Sequence, residues 1–112
     1  MQKLVGIDTE EALKRLMGNE TLLMTVVRGL IAEFQEGRGR IVADLNEGDF
    51  AAVSNKVHRL KGVAANISAN EIYELLAQME EQAKAHDAAG AKLSFANIEV
   101  LFDQLAASAH AS

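Results

Sequence analysis

Residues 53–67, VSNKVHRLKGVAANI, carry apolar side chains at Val53, Val57, Leu60, Ala64 and Ile67. The spacings alternate between four and three residues, which is the period of an α-helix with one buried face. The turn at residues 46–49, NEGD, precedes this stretch, and its Asp49 is a favourable N-cap because a carboxylate accepts backbone N–H groups. We therefore predict a helix that begins after Asp49 and ends near Asn66.

Two more helices are predicted on the N-terminal side of this stretch. Asp8 with Glu11 is a capping-box pattern, and it predicts a short helix over residues 9–17. Asn19 is the predicted N-cap of a long helix that continues to about Asn46. The predicted buried face of that long helix consists of Leu23, Val27, Leu30, Phe34, Ile41 and Leu45.

Two further helices are predicted on the C-terminal side. Ser68 with Glu71 is a second capping-box pattern, and it predicts a helix that starts at Ser68 and stops at Gly90. A last helix is predicted over residues 91–107, and residues 108–112 are predicted to be a frayed tail.

Long amphipathic helices joined by short turns pack as antiparallel neighbours. The predicted fold class is therefore all-α, an antiparallel up-down-up-down four-helix bundle with a short extra N-terminal helix. We expect residues 1–112 to form a single domain, in which residues 1–7 are a leader segment. This fold alone does not indicate a function, because helical bundles support many unrelated activities.

The composition excludes several classes of function. The chain has 16 acidic and 11 basic residues, a net charge of −5, which disfavours nucleic-acid binding and direct contact with a membrane surface. It has no cysteine, so disulfides, thiolate metal sites and cysteine nucleophiles are excluded. We find no secretory signal and no apolar run of the length needed to span a membrane, so we expect a cytoplasmic protein.

His58 is the main candidate for chemistry. It follows Val57 by one position, so it lies beside the buried face of its helix, with Lys61 and Gly62 one turn further on. Glycine leaves the space next to the imidazole open, and a nearby lysine would attract an anion such as a phosphoryl group. The alternatives are an ordinary surface histidine and a glycine that only permits close helix packing.

The residues around His58 resemble a known signature. Residues 57–67, VHRLKGVAANI, are similar to the signature of histidine-containing phosphotransfer (HPt) domains, which carry His-x-Leu-Lys-Gly on the second long helix of a four-helix bundle. The similarity covers roughly residues 6–106. It includes GID at residues 6–8, EGDF at residues 47–50 and LLAQME at residues 75–80. The chain departs from the family at Ser68, where glycine is frequent; as an N-cap, Ser68 would preserve the turn by another route.

The resemblance implies a phosphorelay intermediate of two-component signal transduction. His58 would accept a phosphoryl group on Nε2 from the phospho-aspartate of a receiver domain and pass it to a second receiver. The receiver would supply the Mg²⁺, and the chain itself would need no cofactor. Lys61 would be a neighbouring cation, and the chain would have no ATP-dependent kinase activity of its own, since it lacks kinase and phosphate-loop motifs.

The resemblance also assigns a partner to the His58 ring. In HPt domains, Nδ1 of the histidine commonly bonds to a Gln or Glu of the next helix, and the matching position is Glu80. Glu80 lies one position after the inward-facing Met79, just as His58 lies one position after Val57. Antiparallel packing of the two helices would therefore bring Glu80 and His58 together at the edge of the bundle. The competing interpretation is a solvated pair between Glu80 and Lys84. Lys84 is a supporting candidate that would add positive potential.

We expect the partner surface to surround His58, with Gly62 leaving room for a close approach. Its predicted members are the exposed positions Ser54, Asn55, Arg59, Lys61 and Ala65. The expected partners are receiver domains of response regulators and, as a second class, a hybrid sensor histidine kinase; we expect a monomer.

Two other functions remain open. A non-catalytic helical adaptor would bind a receiver or a histidine kinase without transferring phosphate. A substrate domain would be phosphorylated directly by the ATP-binding domain of a kinase. A metal site is not expected, because His58, Glu80 and His86 lack the compact spacing of bundle metal ligands.

Overall fold

The computed structural model describes residues 2–110, and within this range it contains five α-helices and no strand. The helices are α1 (Thr9–Arg15), α2 (Glu20–Glu47), α3 (Phe50–Asn66), α4 (Asn70–Lys84) and α5 (Ala88–His110). The predicted all-α class is confirmed. Both α2 and α4 pack against α3 and α5, so the four long helices share one core, while α1 makes a smaller contact with α2.

The predicted apolar faces form this core. The six predicted residues of α2, the five of the VSNKVHRLKGVAANI stretch, and Ile72, Leu76 and Met79 of α4 are all buried. Phe34 of α2 stacks on Phe102 of α5 with ring centroids 4.0 Å apart. The region around Gly37 and Gly39 stays within α2, because the apolar period resumes in phase beyond it.

Three of the predicted N-caps are confirmed: the side chains of Asp8, Asn19 and Asp49 each accept a backbone N–H of the helix they precede. The predicted stop at Gly90 is wrong. The backbone N–H of Gly90 donates to the Asp87 side chain at 2.9 Å, so Gly90 lies in the first turn of α5. Asp87 is a stronger signal for the helix boundary than Gly90, because its side chain caps the N-terminus of α5 three residues after α4 ends at Lys84.

The predicted N-cap at Ser68 is also wrong. Ser68 has a φ of +54°, and its N–H donates to Ala65 O, while the N–H of Ala69 donates to Ala64 O. This pair of bonds is a Schellman motif, so Ser68 terminates α3 instead of starting α4. Glycine is favoured at such a position because it has no Cβ. The Ser68 hydroxyl is fully buried and has no hydrogen-bond partner within the described residues.

We expect Ser68→Gly to stabilise the protein by about 1 kcal/mol, since it relieves the left-handed backbone and removes a buried hydroxyl without a partner. Ser68→Ala is the matched control, because it removes the hydroxyl but keeps the backbone strain. Urea unfolding monitored by circular dichroism measures both variants. Equal stabilities of the two variants would show that the backbone conformation at Ser68 costs nothing.

The two chain ends meet. Leu4 is buried in the core, the backbone N–H of Val5 donates to the Ser108 side chain, and the Gln2 side chain donates to the carbonyls of Ser108 and Ala109. The predicted fraying is therefore wrong for residues 108–110, which are helical because the N-terminal segment packs against them. Met1, Ala111 and Ser112 lie outside the described residues, so the predicted leader and tail are described only from Gln2 and to His110.

Candidate functional site

His58 lies at the edge of α3 that faces α4. Val57 is fully buried, and this fixes the rotation of the helix so that the next residue emerges at the border of the core. The His58 side chain is 67% exposed. A ring in this position is held by the helix backbone and is still accessible to another protein.

Glu80 of α4 lies directly against this ring. Its neighbour Met79 is fully buried, and the Glu80 side chain is only 7% exposed. The Nδ1 atom of His58 lies 2.9 Å from Oε2 of Glu80. Since an ionised carboxylate can only accept, Nδ1 carries the hydrogen and donates it, which leaves the lone pair of the neutral ring on Nε2.

Two lysines complete the cluster. The Lys61 Nζ atom lies 2.6 Å from Glu80 Oε1, and the Lys84 Nζ atom lies 3.4 Å from Glu80 Oε2. The competing interpretation, a solvated pair of Glu80 with Lys84 alone, does not describe this site, because Glu80 is buried and contacts His58 and Lys61 as well. Lys61 is 22% exposed and points to the carboxylate, whereas Lys84 is 65% exposed.

The cluster keeps Glu80 ionised. Burial alone would raise the pKa of Glu80, but the hydrogen bonds from Lys61, His58 and Lys84 and the charge of Lys61 hold it below its ordinary value of 4.5. The hydrogen bond to Glu80 raises the pKa of Lys61 above 10.5. With His58 neutral, two ammonium groups and one carboxylate leave one net positive charge beside the ring. Such a site favours an approaching phosphoryl group.

The lowered pKa of Glu80 predicts a pH dependence of stability. A carboxylate whose pKa is lower in the folded state stabilises the fold above its unfolded pKa, and this contribution is lost as the pH falls through the folded value. We expect the free energy of unfolding to fall more steeply for the native chain than for Glu80→Gln below the ordinary pKa of 4.5. Urea titrations between about pH 7 and pH 3 measure it. Parallel curves would contradict the ion cluster.

Gly62 is exposed in the interior of α3, one turn after His58. Among the described residues, a Cβ atom built at this position meets no atom within 4 Å apart from its own helix backbone and chain neighbours. Close helix packing within this chain therefore does not require a glycine here. The open space next to the imidazole is instead available to a molecule that approaches from outside.

The predicted partner surface is only partly exposed. Asn55 and Arg59 are exposed, and Arg59 is paired with Glu33 of α2. Ser54 is buried, so its assignment as an exposed residue is wrong. It lies one turn before His58, on the side of α3 that α4 covers, and it lines a cleft together with Ala83. Ala65 is half-buried, and its carbonyl accepts a hydrogen bond from Arg15.

Sequence reasoning missed Arg15 and Glu33 as neighbours of this surface. Arg15 connects α1 to the end of α3, and Glu33 connects α2 to the middle of α3. Both contacts join residues that are far apart in the chain, and the local pairing of Arg15 with Glu11 in α1 gives no indication of the contact with α3. No signal in a single sequence would have identified them.

Other features lie apart from the ring of His58. His86 lies in the connection after α4, has a φ of +58° and stacks on Phe50 with ring centroids 4.8 Å apart. Among residues 2–110, no three His, Asp or Glu side chains are grouped so that they could hold a metal ion. None of the helices in this range is both long and apolar enough to cross a membrane.

Comparison with known proteins assigns the family. Neither the curated proteins nor the solved structures compared with the chain gave a match. The family model of the Hpt domain matches residues 25–111, a region that contains the whole cluster of His58, Lys61, Glu80 and Lys84. Hpt domains take part in histidine phosphotransfer in two-component signalling, where they interact with receiver domains and kinases. With most of its length matched, this chain belongs to the Hpt domain family.

Proposed function

We propose that this protein is a phosphorelay intermediate, which accepts a phosphoryl group on His58 from the phospho-aspartate of one receiver domain and passes it to another. The observation that carries this proposal is the 2.9 Å contact between Nδ1 of His58 and Oε2 of Glu80. A nucleophilic imidazole needs a fixed tautomer and an open nitrogen, and this contact favours both.

The proposed transfer step uses the open nitrogen of the ring. The lone pair on Nε2 of His58 attacks phosphorus, the bond between phosphorus and the aspartyl oxygen breaks, and the carboxylate leaves with the electron pair. The phosphorylated ring keeps its hydrogen on Nδ1 and gains positive charge, which Glu80 stabilises at 2.9 Å. The reverse sequence delivers the group to the second receiver.

The partner completes the site. This chain offers the nucleophile and the neighbouring cations, and we assign the Mg²⁺ to the receiver, as the resemblance to HPt domains implies. The proposal includes an antiparallel up-down-up-down arrangement of the four long helices. The short connections at residues 48–49, 67–69 and 85–87 support this arrangement. A cytoplasmic location, where receiver domains act, belongs to the same proposal.

Two experiments separate this function from its alternatives. A receiver domain phosphorylated on aspartate is mixed with the protein, and the label is followed on phosphate-affinity gels. Transfer of an acid-labile, base-stable label to the protein supports the relay, whereas binding without transfer supports the adaptor. Incubation with ATP and a histidine kinase that lacks a receiver tests direct phosphorylation, and labelling in that mixture alone would replace the relay proposal.

Gly62→Ala is expected to separate stability from activity. The added methyl group should stabilise α3 by about 1 kcal/mol, because alanine is the better helix former and the Cβ meets no other atom. It should also slow phosphotransfer, since it fills the space that a receiver needs beside His58. Thermal unfolding and single-turnover transfer kinetics measure the two effects.

The matched control for Gly62→Ala is Gly39→Ala. Gly39 is exposed in the interior of α2, and a Cβ atom built there also meets no described atom within 4 Å beyond its own helix backbone and chain neighbours. Gly39→Ala should give a similar gain in stability and leave the transfer rate unchanged. Equal transfer rates for both variants would mean that receivers do not approach His58 over Gly62.

A further inference from the structure

The outer face of α5 carries an apolar stripe that the fold leaves uncovered. Leu93 and Val100 are 67% and 54% exposed, although both are large apolar side chains. Ala89 and Ala96 are exposed on the same side of the helix. The four residues follow one another at spacings of four, three and four, so they form a seam along the helix, as in a coiled coil.

The inner face of α5 is already used by the core. Ala91, Phe95, Ile98, Phe102 and Leu105 are buried, and within residues 2–110 this face of α5 packs mainly against α2 and α4. A helix with two apolar faces usually has a partner on each of them. The seam of Ala89, Leu93, Ala96 and Val100 therefore indicates a contact outside the single chain.

The seam is complementary to itself. When two copies of α5 lie antiparallel about a two-fold axis, Leu93 faces Ala96 of the second copy and Ala89 faces Val100 of the second copy. Each layer then joins a large side chain with a small one, which lets the two helices approach closely. Symmetry repeats both layers, so the same four residues of each copy form a continuous interface.

The charges that border the seam favour the same register. Lys92 and Glu99 lie seven residues apart on one side of the seam, and within the chain Glu99 is 3.8 Å from Arg38 of α2. In this antiparallel register Lys92 is placed beside Glu99 of the second copy, twice by symmetry. A shift by one heptad would place Leu93 against Asp103 of the second copy. It would also place Glu99 against Glu99 of the second copy, so that like charges meet. Parallel pairing would place Lys92 beside Asn97, with no opposite charge.

We propose that the outer face of α5 binds a second copy of this chain, in an antiparallel pair with two-fold symmetry. This proposal is an alternative to the monomer predicted from the sequence. The helix α3 packs against α2 and α4 and lies across the bundle from α5, so both His58 sites remain open in the pair. The seam is short and half of it is alanine, so the pair dissociates in the micromolar to millimolar range, as small interfaces do.

Sedimentation equilibrium of the full chain from about 5 µM to about 1 mM tests the proposal. The average mass should rise from one chain towards two. Leu93→Glu should raise the dissociation constant by about tenfold or more, because it places a charge in an apolar seam. Tyr73→Glu, at an exposed apolar residue of α4, is the control and should change nothing. A single-chain mass at every concentration, or equal effects of the two variants, would overturn the proposal.

A charge exchange tests the register independently of Leu93. Lys92→Glu and Glu99→Lys should each weaken the pair, because each places like charges side by side. The double variant, Lys92→Glu with Glu99→Lys, should recover most of the loss since it restores opposite charges. All four residues changed in the two tests are exposed or half-buried, namely Tyr73, Lys92, Leu93 and Glu99, and circular dichroism verifies the fold. A double variant as weak as the sum of the singles would overturn the antiparallel pair.

Discussion

Replacing His58 by glutamine is expected to abolish phosphotransfer while the fold is retained. Glutamine has a similar size but offers no nucleophilic nitrogen, so the transfer rate should fall by about 10³-fold or more, to the background of the assay. The side chain is 67% exposed, and α3 is held by buried residues on its other face, so we expect little change in stability. Single-turnover transfer from a phosphorylated receiver measures the rate, and circular dichroism measures the fold.

His110→Gln is the matched control for this variant. His110 is an exposed histidine at the end of α5, far from α3 in the chain, and its replacement should leave transfer unchanged. Binding of the receiver to His58→Gln should persist, because the surface around residue 58 is intact. Normal transfer by His58→Gln would disprove the relay through His58, and loss of receiver binding would show that the ring itself is needed for docking.

Glu80→Ala is expected to have the second largest effect. It removes the acceptor of the Nδ1 hydrogen and the negative charge that stabilises the phosphorylated ring, so transfer should slow by about 10²-fold. Lys61, only 22% exposed, would also lose its partner at 2.6 Å. The side chain is buried, so we expect stability to fall by about 1–3 kcal/mol.

Glu80→Gln distinguishes the two parts of this effect. Its amide oxygen can still accept from Nδ1 of His58, but it carries no charge, so the rate should lie between those of the native chain and Glu80→Ala. Glu81→Gln, at the exposed neighbour on α4, is the control and should not alter transfer. Native rates in both Glu80 variants would remove the ring-orienting role from Glu80 and leave it as a structural partner of Lys61.

The helices and the core could be predicted from the sequence because their signals are local. The period of residues 53–67 and the caps at Asp8, Asn19 and Asp49 needed only short-range hydrogen bonds and burial of one face. Ser68 was misassigned because a serine before a helix can cap it or can end the previous helix. The outcome depends on the Schellman bonds to Ala64 and Ala65, which a capping pattern does not contain.

The candidate site could be predicted only in part. The pairing of His58 with Glu80 was expected from the resemblance alone. In the structure, Nδ1 of His58 lies 2.9 Å from Oε2 of Glu80, where α3 packs against α4. The contact of Lys61 with Glu80 and the burial of Ser54 were not predicted, because they depend on the rotation of α3 against α4. A difference of one position around a helix moves a side chain from the surface to the groove between two helices.

The central claim is that Glu80 holds the hydrogen on Nδ1 of His58 and leaves Nε2 to carry the phosphoryl group. Long-range ¹H–¹⁵N spectra of the ¹⁵N-labelled protein, recorded before and after transfer from a phosphorylated receiver, test it most directly. We predict a neutral ring protonated at Nδ1 before transfer, and phosphorus bound to Nε2 of His58 after it. Phosphorus on Nδ1, or on a residue other than His58, would contradict the account.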